Sequence, residues 1–427
     1  MLEFFVLAIL GGLALTAIFN PTFGLYAFFI VAYTRPQDYY TFLVDIEPAK
    51  WILIITTISF LFQRLKKQES FVKAKQNFGI IWLIIAIFAS RINVIDIERW
   101  WYWTQDFLEV CLVFFLMINT FATQKKLRNF YIFFLLINFV VAIRFYLQYQ
   151  SGTAGFHGGK PGDTSLSFLG NADDLGIGMA IALAYAVLPI FFAPGIFLKG
   201  LACIVSVAFM WAAVNTESRG AHIGVFTVYL TAVISQFKAS KFRIRRFSIG
   251  MLLALVVLAG FTIRYRWALK NTYETSQDET DPGRLGRMYA WEAAKQMLKE
   301  QPLIGVGRGN FVAYWRENYP AGGAGYQVAH NIIYEVAAEI GFFGLAGFLF
   351  FSLIGLLELR KIRKKYGKQL QKSYFIDMLF AIYLVGLIGF FVNGMFITVA
   401  FYWHIYILVA MFVCAKNVFL KEALKKK

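Results

Sequence analysis

Apolar runs recur along almost the whole chain, broken only by short polar or basic segments, and a polypeptide built this way has few options. With 59% hydrophobic residues over 427 positions and a mean hydropathy of +0.59, the bulk of the chain has lipid as its solvent. In hydrocarbon every backbone N–H and C=O must be satisfied within the protein, which leaves helices or a closed barrel. The Leu, Phe, Ile and Ala runs lack the apolar/polar alternation of barrel strands. The sequence therefore predicts an all-α fold, a polytopic transmembrane helical bundle of about 12–13 spans. Spans are expected near 3–18, 22–34, 50–63, 78–90, 105–121, 129–147, 172–192, 200–214, 221–236, 247–263, 330–357, 374–392 and 401–416. The first two read as a hairpin around Asn20-Pro21. Glu3 and the lack of a basic leader give no expectation of a cleavable signal peptide.

Charge sets the orientation. Loops 64–77, 122–128, 193–199, 237–246, 358–373 and the tail from 416 hold 26 of the 42 Lys and Arg, with only Glu69, Glu358 and Glu422 as acids. By the positive-inside tendency these face the cytoplasm, and the remaining 16 basic residues share the opposite face with most of the acids. The net charge of +17 is then mainly an orientation signal, suited also to membrane lipids with anionic headgroups. It does not argue for nucleic acid, because the basic residues sit in short loops at helix ends. The expected organisation is N-terminal transmembrane helices over 1–150 and central transmembrane helices with a Gly-rich outer loop over 151–263. A large periplasmic loop follows over 264–329, then C-terminal transmembrane helices and a basic cytoplasmic tail over 330–427.

Cys111, Cys203 and Cys414 all fall in expected spans, so neither a loop disulfide nor a CxxC site is available. His157, His222, His330 and His404 show no zinc-binding spacing.

Chemistry is expected where the large outer loop runs into the helix headed by His330. DPGRLGRMYAWEAAKQMLKEQP, 281–302, reads as a helix capped by Asp281, with Leu285, Met288, Trp291 or Ala294, and Leu298 as an apolar stripe suited to a membrane surface. Arg284 and Arg287 share one side near its N-terminus. They form an anion site or, more plainly, solvated contacts to lipid phosphates. GVGRGN, 305–310, reads as a turn lining the outer surface with no helix evident after it, and Arg308 and Arg316 add positive charge. Arg219, in TESRGAHIG, stands at an outer helix mouth, either functional, snorkelling or paired with Glu217. HNIIYEVAAEIGFFG, 330–344, carries His330, Tyr334, Glu335 and Glu339 on one helix, with Gly341, Gly344 and Gly347 spaced for close packing. A helix-end His is often structural; here the acid pair and the arginine-rich loop point to function. The segment 151–176, with Asp163, Asp173 and Asp174, binds sugar hydroxyls or, more plainly, is a flexible Gly-rich loop; Arg91, Arg99, Trp100, Trp101 and Trp103 read as an interfacial belt, and Asp106, Glu109 and Arg144 as internal pairs.

The SRG element at 218–220, DPGRLGRMYAWEAA, PLIGVGRGNF and HNIIYEVAAEIGFFGL together resemble the O-antigen ligase and O-antigen polymerase superfamily of bacterial inner-membrane glycosyltransferases. NPTFGLYAFFIVAYTRPQDYY resembles the exosortase-associated O-glycosylation ligase branch. The resemblance implies a GT-C-like fold that takes a glycan from undecaprenyl diphosphate at the periplasmic face of the inner membrane, inverting, without a metal ion or other cofactor. The acceptor it implies is lipid A core, another lipid-linked glycan (a polymerase) or a protein (an oligosaccharyltransferase). The family's essential His maps onto His330, as acceptor of the attacking hydroxyl's proton, work that suits an ordinary imidazole pKa near 6.5. Arg219 with Arg284 or Arg287 would stabilise the diphosphate, and Arg308, Glu339 and Tyr334 join them as substrate-binding residues. Family members commonly carry Leu where Tyr334 stands. A lipid-linked glycan transporter is the reading from a different class, and the chain lacks the internal repeats it would be expected to show.

Overall fold

The computed structural model describes residues 2–153, 155–157, 160–162, 171–237, 250, 257, 260, 264, 282–319 and 325–425. Helices dominate them. The N-terminal set is α1 (Leu2–Phe19), α2 (Pro21–Thr34), α3 (Pro48–Lys67), α4 (Lys75–Ser90), α5 (Ile97–Thr120) and α6 (Gln124–Gln150). After a small antiparallel pair, β1 (Gly155–His157) and β2 (Lys160–Gly162), come α7 (Ala172–Val187), α8 (Pro189–Phe192), α9 (Ile196–Asn215) and α10 (Arg219–Phe237). The C-terminal part contributes α11 (Pro282–Glu300), α12 (Phe311–Asn318), α13 (Ile332–Leu370), α14 (Tyr374–Gly394) and α15 (Trp403–Lys425).

Eight helices among the described residues are long and apolar enough to cross a membrane: α4, α5, α6, α7 with α8, α9, α13, α14 and α15. The chain is a multi-pass membrane protein. Other expected spans also form helices, but α1 and α2 are short and α3 ends in Arg64, Lys66 and Lys67. The span expected at 247–263 lies largely outside the described residues. Helix starts follow local chemistry: Asn20, Asp96, Thr123, Asn171 and Asn331 each cap the following helix by accepting a backbone N–H.

Burial runs in a gradient. From Asp174 to Val187 every residue of α7 is buried, as suits a helix apolar all round, and α14 and α15 are nearly as enclosed. On α9, by contrast, Ile196 is 87% and Phe197 79% exposed. Such a surface is tolerable against lipid tails and would be a liability in water. The three cysteines are unpaired, two of them fully enclosed by helices.

Helix α13 departs most from its sequence pattern. It packs along α4, but at Ile340 (φ −129°) and Gly341 (φ 71°, ψ −179°) its backbone leaves helical geometry. The segment 302–307 fills the gap. Val306 and Gly307 donate backbone N–H groups to the carbonyls of Ala338 and Glu339, each at 2.9 Å. In return Phe342 and Phe343 donate to the carbonyls of Pro302 and Leu303 at 2.9 and 3.2 Å. Every backbone group freed by such a break must find a partner elsewhere in a membrane protein. Gly341 therefore makes the break rather than a packing groove, while Gly347 sits against Trp82 as a close-approach glycine should.

Candidate functional site

The loop expected as a surface turn is instead a buried plug. Residues 305–310 are all buried, and Gly305, Gly307 and Gly309 adopt left-handed φ values of 72°, 107° and 73°. They lie against the backbone of Ala338 and Glu339, the side chain of Val94 and the ring of Trp103, respectively, so a side chain at any of the three would collide. A short helix, α12, does follow, contrary to expectation. The plug is stapled to the start of α5: Asn310 Nδ2 donates to the Asp96 carbonyl at 3.0 Å, Asp96 N–H donates to Asn310 Oδ1 at 2.8 Å, and Arg99 Nε donates to the Gly309 carbonyl at 2.7 Å.

The outer helix α11 forms as expected, though its buried face differs. Ala290, Ala293, Ala294 and Met297 pack with Val306, Phe311, Trp315 and Ala338 into a small second core, while Met288 is 53% exposed. Alanines let α11 approach α13 closely, which larger side chains would prevent. The Asp281 cap lies outside the described residues.

These packings enclose a cavity of about 540 Å³ lined by residues from six parts of the chain, among them Arg99, Asp174, Arg287, Arg308, His330, Glu335, Glu339 and Tyr402. His330 holds a left-handed φ of 45°, uncommon for a residue with a side chain. It is clamped there from both sides. Its own N–H donates to Thr398 Oγ1 at 3.0 Å, and the preceding Ala329 carbonyl accepts from Trp291 Nε1 at 2.9 Å. Asn331 next caps α13, with its side-chain oxygen taking the N–H groups of Ile333 and Tyr334. Strain held by surrounding structure is a pointer to function.

Arg308 is the electrostatic centre. Only 5% exposed, it pairs with Glu339 at 2.5 Å and with Glu335 at 3.8 Å, and its guanidinium lies 3.9 Å from the centroid of the Phe401 ring. Burial opposes its charge, yet Glu339 and Glu335 outweigh that and hold its pKa above the ordinary arginine value. The acid pair thus has its cation in the plug loop, 31 residues from Glu339 in sequence. Much of Arg308's charge is committed internally, leaving Arg287, which forms no ion pair among the described residues, as a cationic group lining the cavity.

Other expected residues fall around this centre. Arg219 begins α10 and is exposed, outside the cavity lining; its neighbour Gly220 abuts Ile397, which is in that lining. Arg284 belongs to the first turn of α11, and its side chain lies outside the described residues. Tyr334 packs on Trp291, ring centroids 5.9 Å apart, instead of facing the cavity. Glu217 pairs with Arg264 at 2.8 Å. Arg316, exposed, lies over Tyr326, and Arg144 stacks over Tyr39 at 4.9 Å.

Three further residues join the site: Asp174, which the sequence offered only within a loop read chiefly as flexible, Trp103, and Tyr402, which the sequence reading did not name. Asp174, in the first turn of α7, accepts from Asn171 Nδ2 at 2.5 Å and from Tyr402 Oη at 3.3 Å. Burial first, then Asp174 and Glu335, push the Tyr402 phenol well above its ordinary pKa, so it remains a donor. Trp103, assigned to an interfacial belt, lies 5.3 Å from the Arg308 guanidinium and lines the cavity. A second cavity of about 420 Å³ shares Trp103, Asp174, Arg308 and Tyr402 with the first and is lined on its far side by Glu47, Asp106 and Glu109. Asp174 was visible in the sequence as one of three aspartates in a polar Gly-rich loop; the Asn171 cap that opens α7 is what places it in a helix instead.

Residues 201–349 match the family described as O-antigen ligase. The match supports the O-antigen ligase superfamily, an enzyme in general, and the use of a lipid-linked glycan donor with an acceptor. It takes in Arg219, Arg284, Arg287, Arg308, His330, Tyr334, Glu335 and Glu339. Among curated proteins nothing matches the chain.

Proposed function

From the O-antigen ligase match as premise, we propose that the chain is a metal-independent, inverting glycosyltransferase of the GT-C type. It moves a glycan from undecaprenyl diphosphate to an acceptor such as lipid A core, at the periplasmic face of the inner membrane. The observation that carries the reading is the single cavity shared by His330, Arg287 and the Arg308–Glu339 pair. Transfer needs a group to take the proton of the attacking hydroxyl and cations to meet charge growing on the departing diphosphate. His330 supplies the first, entering from the head of α13. Arg287 supplies the second from the cavity wall, and Arg219 with Arg284 adds to it as the glycan-bearing lipid docks. Arg308 fixes the carboxylates, so that Glu335 and Glu339 hold sugar hydroxyls without repelling phosphate. Tyr334 acts at one remove, holding Trp291 and through it the Ala329–His330 peptide. The adjoining cavity gives a second substrate room beside the first.

The test is transfer by purified protein in chelator, wild type against His330→Ala, from a native undecaprenyl-diphosphate glycan. A single addition to lipid A core that the variant loses supports the ligase. A growing ladder on the lipid carrier replaces it with a polymerase, and modification of protein alone with an oligosaccharyltransferase. Movement of the lipid-linked glycan across a bilayer without transfer would make the chain a transporter and overturn the proposal.

A further inference from the structure

At the end of the bundle opposite the candidate site lies a larger cavity, of about 780 Å³, where α1, α2, α3, α5, α6 and α15 meet. Arg99 of the site and Thr120 of this cavity both belong to α5, and 21 residues of helix separate them by about 32 Å. That is the thickness of a hydrocarbon core, so the two cavities sit at opposite headgroup levels.

Its lining is cationic. Arg64, Lys67, Lys126 and Lys421 face it with Glu69 as the acid, and Glu69 is taken by Arg64. Lys67, Lys126 and Lys421 have no carboxylate partner among the described residues. The Lys126 ammonium reaches Thr22 Oγ1 at 3.3 Å, bridging the N-terminal turns of α6 and α2, both of which open on the cavity with their positive dipole ends. A separate observation points to a ligand: Thr120, 6% exposed, lines the cavity with a buried hydroxyl that has no hydrogen-bond partner. A buried donor left unsatisfied is unfavourable unless something else fills its valence. At the cavity's edge Phe19 is 78% exposed, and Phe23 on the next helix is 59% exposed, an apolar flank fit for acyl chains.

We propose that this cavity binds the phosphodiester headgroup of an anionic phospholipid. The ammonium groups of Lys67 and Lys126 and the two helix ends meet the phosphate, and Thr120 Oγ donates to a headgroup oxygen. Binding here ties six helices together at the end remote from the site, and none of them lies in the family-matched segment. It is independent of the reaction proposed above.

The experiment measures binding of short-chain phosphatidylglycerol, short-chain phosphatidylcholine and inorganic phosphate to the purified full-length chain in detergent. Phosphatidylglycerol should bind and phosphatidylcholine should not. Each lysine contributes about fivefold, so Lys67→Gln with Lys126→Gln should weaken binding about twenty-five-fold, while Lys364→Gln with Lys365→Gln leaves it unchanged. Thr120→Val keeps the shape and provides the check if the double variant fails to fold: binding falls, and lipid-free stability holds or rises. Equal binding of both lipids, wild-type affinity in both Thr120→Val and the double variant, or inorganic phosphate binding as tightly as the lipid would overturn the proposal.

Discussion

Replacing Gly341 with Ala tests whether the break in α13 is held by the plug. Its φ of 71° with ψ of −179° is a conformation essentially confined to glycine, and strain of about 1–3 kcal/mol accompanies a side chain there. A methyl at this position would also run into the backbone of Leu303 and Ile304. The helix must then straighten or the plug withdraw, and either movement breaks the four backbone hydrogen bonds between 302–307 and α13. At about 0.5–1.5 kcal/mol each, they contribute about 2–6 kcal/mol. Hydrogen exchange reads this directly, because the Phe342 and Phe343 amides donate to the plug carbonyls. A local loss of about 3 kcal/mol speeds their exchange about a hundredfold. Gly200→Ala is the control: it lies inside α9 with open space around its Cβ, so alanine should stabilise by about 0.5–1 kcal/mol. Wild-type exchange at Phe342 and Phe343 in Gly341→Ala, with an unchanged unfolding midpoint, would refute the reasoning.

Arg308→Ala should destabilise by about 3–5 kcal/mol, seen in the denaturation midpoint, because it strands Glu335 and Glu339 in a buried site; Glu339→Gln, which leaves Arg308 its Glu335 partner, should lose less. His330→Gly should be at least as stable as His330→Ala, since φ is 45° there, while both lose about 10²–10⁴-fold in transfer rate. A variant pair that is equally active as wild type would remove His330 from the chemistry. Tyr402→Phe deletes the bond to Asp174 and should cost about 1 kcal/mol in thermal stability, with the larger effect on substrate affinity.

Much of the architecture was legible because membrane helices announce themselves locally. Apolar length alone places the starts of α7 and α13 within two residues, although α13 runs on to Leu370, well past the end expected near 357. Gly341 was misread for the same reason: a single glycine in a helical pattern looks tolerated, and only the approach of 302–307 turns it into a break. Within the site, His330, Arg287, Arg308 and Glu339 were recognisable as a junction of charge at a helix head. Their pairing was not, since nothing local states that Arg308 closes on Glu339 or that Tyr402 reaches back 228 residues to Asp174. The price of placing two carboxylates in an apolar helix was the usable clue, because it demanded a nearby cation.

The break at Gly341 also redraws where the lipid-facing part of α13 begins. From Phe342 to Leu357, the last residue before the basic segment 358–373, the helix rises about 24 Å at 1.5 Å per residue, short of the roughly 30 Å of a hydrocarbon slab. The crossing is therefore completed by the turns before the break together with the 302–307 segment hydrogen-bonded to them. In those turns Glu335 and Glu339 stay buried, matched by Arg308 of the plug and rigidly joined to a membrane anchor.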